Sequence, residues 1–322
     1  MSKYPFDVLN LGSEDEPAYD KVMQALAHRP FLASKKDFKE DARLFIPGDE
    51  LSDAINTAIA VGDPLLLTGD PGVGKTQTAY YVAYRIGSEP VIPFQVKSDT
   101  KAVDLLYQFD MIRYYGDAHA GGSTKMKKKE EYITEGPLWR AIKSGNENKL
   151  PQVLLIDEID KAPRDFPNDL LLELDKMELE VRETNQRIES EKPYRPIVVI
   201  TSNSERRLPE PFLRRCVYHH IRFDEQVLHR AVAVRRQYFK RLSNEFIDLA
   251  IKRFLELREE CARKRPATAE LLVWLTVLAA EQGETVGRLE ERLRGSGFKD
   301  LPHLSAIIKD RTDFERLQKK NI

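Results

Sequence analysis

The sequence predicts an α/β fold, an αβα sandwich built on a five-stranded parallel sheet, followed by a smaller helical domain. Three observations predict it. Five short, nearly continuous apolar runs recur between residues 64 and 223, as expected of strands covered by helices on both faces. The stretches between them are long enough for crossover helices, and past Phe223 the apolar runs stop while apolar spacing at i, i+3, i+4 continues. At 322 residues the chain has room for one large domain and a smaller one.

Taken in order, residues 1–43 are polar, are broken by Pro5, Pro17 and Pro30, and carry only short helical signals such as YDKVMQALAH. They read as an N-terminal extension. Residues 44–223 form the predicted α/β domain. A helix from Asp49 places Leu51, Ala54, Ile55, Ala58 and Ile59 on one face, and the strand PLLLT follows at 64–68. Further strands are expected at 90–96 (PVIPFQV), 152–157 (QVLLID), 196–201 (PIVVIT) and 217–223 (VYHHIRF). Between the second and third of these five runs an insertion, at about 100–135, breaks the rhythm. Gly116, Gly121 and Gly122 puncture it, and Lys125, Lys127, Lys128 and Lys129 form a basic run, either a solvated loop tip or a surface that grips a partner. Residues 224–300 carry the helical periodicity of EQVLHRAVAVRRQYF, NEFIDLAIKRFLELREECA and ATAELLVWLTVLAAEQ. The tail, 301–322, is expected as one loose helix.

Composition narrows the function classes. The formal charge of −1 gives no electrostatic footprint for nucleic acid. No apolar run approaches the ~18 residues of a membrane span, and the opening MSKYPFDVLNLGSEDEP lacks an apolar signal core, so no membrane role and a cytoplasmic location are expected. Cys216 and Cys261 have no metal-ligand spacing and are expected to be ordinary thiols.

The most specific signal is GDPGVGKT, comprising Gly69, Asp70, Pro71, Gly72, Val73, Gly74, Lys75 and Thr76, with Gln77 next. Between a strand and a helix this reads as a phosphate-binding loop. Gly72 and Gly74 let backbone N–H groups turn inward around the β- and γ-phosphates, and the helix opening near Lys75 directs its positive end there. Lys75 adds a point charge, and Thr76 a hydroxyl for Mg²⁺. Asp157 and Glu158 then end a strand about eighty residues further on; Asp157 would hold the Mg²⁺ shell and Glu158 polarise the attacking water. Asn203, just past another strand, could contact both the γ-phosphate and the water, or simply end the strand in an Asx-type turn. Arg206, Arg207, Arg214 and Arg215 follow, and a guanidinium of the last pair could neutralise the transferring phosphoryl from a neighbouring subunit.

With GDPGVGKT, LLIDEID, TSN and LPEPFLRRC in this order, the chain resembles an AAA+ ATPase. The insertion, the phrase ITEGPLWRA and DEIDKAP followed by Leu171, Leu172 and Leu174 make it similar to the MoxR-type branch of the helix-2-insert clade, over roughly residues 44–285. The resemblance implies a P-loop NTPase sheet in the order 5-1-4-3-2, a helical lid, ATP and Mg²⁺ bound between them, and a homo-oligomeric ring, typically a hexamer. It also implies a hairpin within MELEVRETNQRIESEKPYRP, Asn203 as sensor 1, and Arg215, or else Arg214, as the arginine finger. The client would be a protein with a von Willebrand A domain or another partner for remodelling or metal loading. One departure stands out: where the family often places Ser-Pro-Arg, this chain has KRPATAELLVWL with Ala267 after the proline, leaving Lys264 or Arg265 as candidates for sensor 2. Two other readings differ in class. A GTP- or ATP-using motor of a restriction or defence system has no N-K-x-D guanine signature in its favour, and a nucleotide-held switch is opposed by the full Asp157, Glu158 and Asn203 set.

Overall fold

A computed structural model describes residues 23, 38–88, 90–119, 127–282, 284–295 and 297–319. The expectations for most of residues 1–43, and for Gly121, Gly122 and Lys125, lie outside the described residues. Two compact units divide the described residues: one comprises those within 47–70 and 75–222, the other residue 23 and those within 38–46, 71–74 and 223–319.

In the first unit the strands are β1 (Leu65–Gly69), β2 (Ile92–Gln95), β3 (Tyr107–Phe109), β4 (Ile133–Glu135), β5 (Val153–Asp157), β6 (Glu178–Val181), β7 (Gln186–Glu189), β8 (Ile197–Ser202) and β9 (Val217–Ile221). Five of them form one parallel sheet in the order β2-β5-β8-β1-β9, which is 5-1-4-3-2 when only its members are numbered. This is a P-loop NTPase sheet. Its central strands follow from their composition: β1 is buried throughout, as is β5 except at Asp157, so LLLTG and VLLI have no solvent face.

The runs at 90–96 and 217–223 differ from the buried strands expected of them. β2 and β9 are the two edges, and their residues alternate between half-buried and exposed. An edge position explains why β9 tolerates His219 and His220, since one face of an edge strand can reach water.

Helices α1 (Asp49–Val61) and α2 (Lys75–Ile86) flank β1 in sequence, and Leu51, Ile55 and Ala58 of α1 are buried as the periodicity predicts. Within the insertion, β3 and β4 pair antiparallel around α3 (Met111–His119), none of whose residues is buried. Lys127, Lys128 and Lys129 are exposed, and Lys129 Nζ donates to the Glu183 carbonyl at 3.1 Å. Helix α4 (Pro137–Asn148) starts on Pro137, whose fixed φ suits a first turn, and buries Leu138, Trp139, Ala141 and Ile142. The hairpin expected before β8 is present as β6 paired with β7.

In the second unit, α5 (Glu225–Val234), α6 (Asn244–Glu260), α7 (Thr268–Ala280) and α8 (Val286–Arg294) follow β9. Asp224 caps α5, accepting from the Gln226 N–H at 2.7 Å, and Ser243 caps α6, accepting from the Phe246 N–H at 3.1 Å. The tail corrects the expectation of one loose helix. Two helices, α9 (Leu304–Ile307) and α10 (Arg311–Lys319), contribute Leu304, Ile307 and Leu317 to the same core as Phe246, Phe254 and Trp274. Trp274 Nε1 donates to the Pro302 carbonyl at 2.7 Å, so the tail also satisfies the indole of a fully buried ring.

Candidate functional site

The site grows from the C-terminal ends of β1, β5 and β8, where an open α/β sheet leaves its crevice. Gly69 ends β1 with φ 141°, and the loop carries two more positive-φ glycines, Gly72 at 83° and Gly74 at 101°. Both need to be glycine for two reasons. The backbone is one that side chains rarely adopt, and the space is taken: a Cβ on Gly74 would lie 2.7 Å from the Phe45 ring, and one on Gly72 3.0 Å from the Glu270 carboxylate and 3.3 Å from the Ala267 Cβ.

Lys75 opens α2 and is buried, with Nζ donating to the carbonyls of Gly69 at 2.7 Å and Asp70 at 3.0 Å. Burial pushes its ammonium below the usual lysine range, while the carboxylates of Asp160, Asp70, Asp157 and Glu158 oppose that shift. A cation surrounded by four carboxylates and aimed at loop carbonyls is suited to an anion brought in with its own counter-cation.

The expected carboxylates and Asn203 come together in one chain of hydrogen bonds. Thr76 Oγ1 donates to Asp157 Oδ1 at 2.9 Å, and Thr201 Oγ1 donates to the same oxygen at 2.6 Å. Thr201 Oγ1 accepts from the Glu158 N–H at 2.9 Å, and Asn203 Nδ2 donates to Glu158 Oε1 at 3.2 Å. Glu158 has φ 60°, a left-handed conformation that costs a non-glycine residue energy and that the surrounding bonds must hold. Asp160, 2% exposed, fixes the loop behind it by accepting from the N–H groups of Asn203 at 3.1 Å and Glu205 at 2.9 Å.

Oxygen donors at Thr76 and Asp157 suit Mg²⁺, which prefers one or two protein oxygens together with substrate phosphates. Among the described residues no group of three or more His, Cys, Asp or Glu could hold a metal ion by itself.

The arginines stand outside this network. Arg215, the first choice for a finger, is tied up: Nε pairs with Asp175 Oδ2 at 2.6 Å. Arg214 is exposed, and its guanidinium has no hydrogen-bond or ion-pair partner among the described residues. Arg206 donates to the Ala162 carbonyl at 3.2 Å, and Arg207 pairs with Glu210 at 2.7 Å. Of the sensor 2 candidates, Arg265 lies 3.9 Å from Glu259, and Lys264 gives its backbone N–H to Asp313 at 2.8 Å.

Sequence reasoning missed Thr201, Asp160, Gln95 and Lys161. Gln95 Nε2 donates to Glu158 Oε2 at 2.7 Å, and Lys161 Nζ pairs with the same oxygen. Gln95 is the last residue of β2, a position where parallel sheets place working side chains, so its place was a usable signal. Asp160 and Lys161 sit inside DEIDK with nothing to separate them from solvated charges.

The family described as "AAA domain (dynein-related subfamily)" matches residues 64–216. Protein NorQ of Paracoccus denitrificans (strain Pd 1222) is 32% identical over 127 residues, which cover 39% of this chain and 38% of that protein. The matched part is thus well under half the length of that relative. A crystal structure from Cytophaga hutchinsonii ATCC 33406 covers 92% of this chain and 96% of its own at 13% identity and a TM-score of 0.40. The sheet order, not that likeness, carries the fold assignment. The AAA match runs from the residue before β1 to the residue before β9 and contains Thr76, Asp157, Glu158, Thr201, Asn203, Arg214 and Arg215. Residues 64–216 thus match an AAA domain, and with the motifs they contain the chain is similar to AAA+ ATPases of the MoxR type.

Proposed function

We propose that this chain is a cytoplasmic, Mg²⁺-dependent AAA+ ATPase that works as a homo-oligomeric ring, typically a hexamer. In this reading it remodels or loads metal into a partner protein, one with a von Willebrand A domain. The observation that carries the ATPase part is the unbroken chain Thr76–Asp157–Thr201–Glu158–Asn203. The ring, the partner and the metal-loading role rest on the motif resemblance.

The chemistry asked of these residues is limited. The loop N–H groups and Lys75 hold the β- and γ-phosphates, Thr76 and Asp157 would hold Mg²⁺, and Mg²⁺ supplies charge neutralisation on the phosphate oxygens when bound. Glu158 accepts a proton from water as its oxygen bonds to the γ-phosphorus. The bond from that phosphorus to the β–γ bridging oxygen breaks, and ADP leaves. Asn203 orients the water and the γ-phosphate. A guanidinium from an adjoining protomer, Arg214 or Arg215, offsets charge on the phosphoryl group.

The test is calorimetric and kinetic. Wild-type protein should bind Mg-ATP and release phosphate, and Glu158→Gln should bind with similar affinity but turn over at least ~100-fold more slowly. Equal turnover by that variant would refute the base, and absence of adenine-nucleotide binding by folded protein would refute the whole reading. A shift to larger particles on adding ATP to Glu158→Gln, seen by light scattering, is expected of a ring.

A further inference from the structure

The Glu158 carboxylate carries more donors than a free base needs. Asn203 occupies Oε1, while Gln95 at 2.7 Å and Lys161 both occupy Oε2. A carboxylate has about four lone-pair sites, so three are engaged before any water arrives. The Lys161 contact is the one with a full opposite charge.

Lys161 also has somewhere else to go. It ends the short 3-10 turn Ile159–Lys161, with its side chain 43% exposed, and it borders an open cavity of about 820 Å³ at the ends of β2 and β5. Glu158 and Glu205 line the same cavity. The bond to Glu158 holds the Lys161 ammonium above the usual lysine range, against the effect of burial, and the charges of Glu158, Glu205 and Asp160 add to it. Asp160 is committed to the backbone N–H groups of Asn203 and Glu205, whereas no hydrogen bond or ion pair engages the Glu205 carboxylate among the described residues. Glu205 is therefore a second acceptor for the same ammonium, carried on the loop that also carries Asn203.

We propose that Lys161 restrains the enzyme: its ammonium occupies Glu158 Oε2 in the resting state, and turnover requires it to move across the cavity to Glu205. The proposal rests on the reading of Glu158 as general base. It makes Lys161 and Glu205 positioning residues that act through Glu158, and it ties release of the base to the loop that holds Asn203.

Four variants test it, with turnover and binding of a fluorescent ATP analogue measured separately. Lys161→Met should raise kcat by ~2–5-fold with KM little changed, the range a half-exposed ion pair supports. Lys161→Arg keeps the cation and should not show the rise. Glu205→Gln should lower kcat by a similar factor, because the ammonium loses its second acceptor. The double variant Lys161→Met/Glu205→Gln should match Lys161→Met, since without the ammonium Glu205 has nothing to receive. A fall or no change in kcat for Lys161→Met with binding intact would overturn the restraint, as would a Glu205→Gln defect that persists undiminished in the double variant. A wild type that binds Mg-ATP but releases no phosphate overturns the proposed function, and the restraint falls with it.

Discussion

Thr201 Oγ1 donates to Asp157 Oδ1 at 2.6 Å and, with its lone pair, accepts from the N–H of the neighbouring Glu158 at 2.9 Å. A single hydroxyl, 1% exposed, thus fixes both the proposed metal-side carboxylate and the strained backbone of the proposed base. Thr201→Val is close to isosteric and removes both bonds, leaving a buried N–H unpaired at a cost of about 1–3 kcal/mol. The melting temperature should fall by several degrees, and kcat should fall by more than KM changes. Thr201→Ser should recover most of both, and a Val variant with full kcat would show that the hydroxyl does not organise the pair.

The two candidate finger arginines are separable by their partners. Arg215 is held by Asp175, whereas the exposed Arg214 guanidinium has no hydrogen-bond or ion-pair partner among the described residues, as the proposed finger requires. Arg214→Ala should therefore lower turnover by about 10³-fold while leaving nucleotide affinity near wild type. Arg215→Ala should lose less turnover and more thermal stability. The reverse order of turnover losses in a steady-state phosphate assay would return the finger to Arg215.

Both thiols should be slow to react. Burial pushes the Cys216 thiol up to about 12, with Asp63 and Asp175 adding to it, and burial beside Asp313 pushes Cys261 up to about 11. The thiolate is the reactive form, so at pH 8 each should alkylate far more slowly than an unperturbed cysteine, whose pKa is about 8.5. Mass spectrometry after brief iodoacetamide treatment should find unmodified native protein and doubly modified denatured protein. Rapid native labelling at either site would contradict the burial.

Much of the site was legible because its chemistry sits at fixed places along the chain. GDPGVGKT reads as a turn between strand and helix because only glycine tolerates φ 83° and 101° at Gly72 and Gly74, and the acidic pair Asp157 and Glu158 follows an uninterrupted apolar run. The strands were legible for the same reason, since Leu65, Leu66 and Leu67 leave no polar face. What the sequence concealed are relations across it. Gln95 and Glu158 are 63 residues apart and meet because β2 and β5 are parallel neighbours, with Gln95 in register with Asp157. Nothing local to VYHHIRF says that β9 is an edge. The tail misled because its polar residues are numerous, while the few that matter, Leu304, Ile307 and Leu317, have no regular period across the break between α9 and α10.

Asp313 is the polar counterpart of those buried tail aliphatics, and it makes the tail's contribution measurable. Its buried carboxylate accepts from the backbone N–H groups of Ala262 at 2.9 Å, Arg263 at 3.1 Å and Lys264 at 2.8 Å, closing the turn between α6 and α7. Burial alone would push this carboxyl up, but the N–H donors of Lys264, Arg263 and Ala262 outweigh it and hold the group below the usual aspartate range. A folded pKa below the unfolded value, about 3.9, means that the carboxylate stabilises the fold at all pH values above that figure. The contribution is lost as pH falls through the lower, folded value, where the native group also takes up its proton. Asp313→Asn puts an amide against three donors and should cost about 2 kcal/mol at pH 7, by the usual worth of hydrogen bonds to a charged acceptor. Urea unfolding should show that gap at neutral pH and a smaller one in strong acid, where the wild-type carboxyl is itself neutral. A gap of the same size at both pH values would mean that the asparagine disturbs packing and that the charge of Asp313 does not hold the turn.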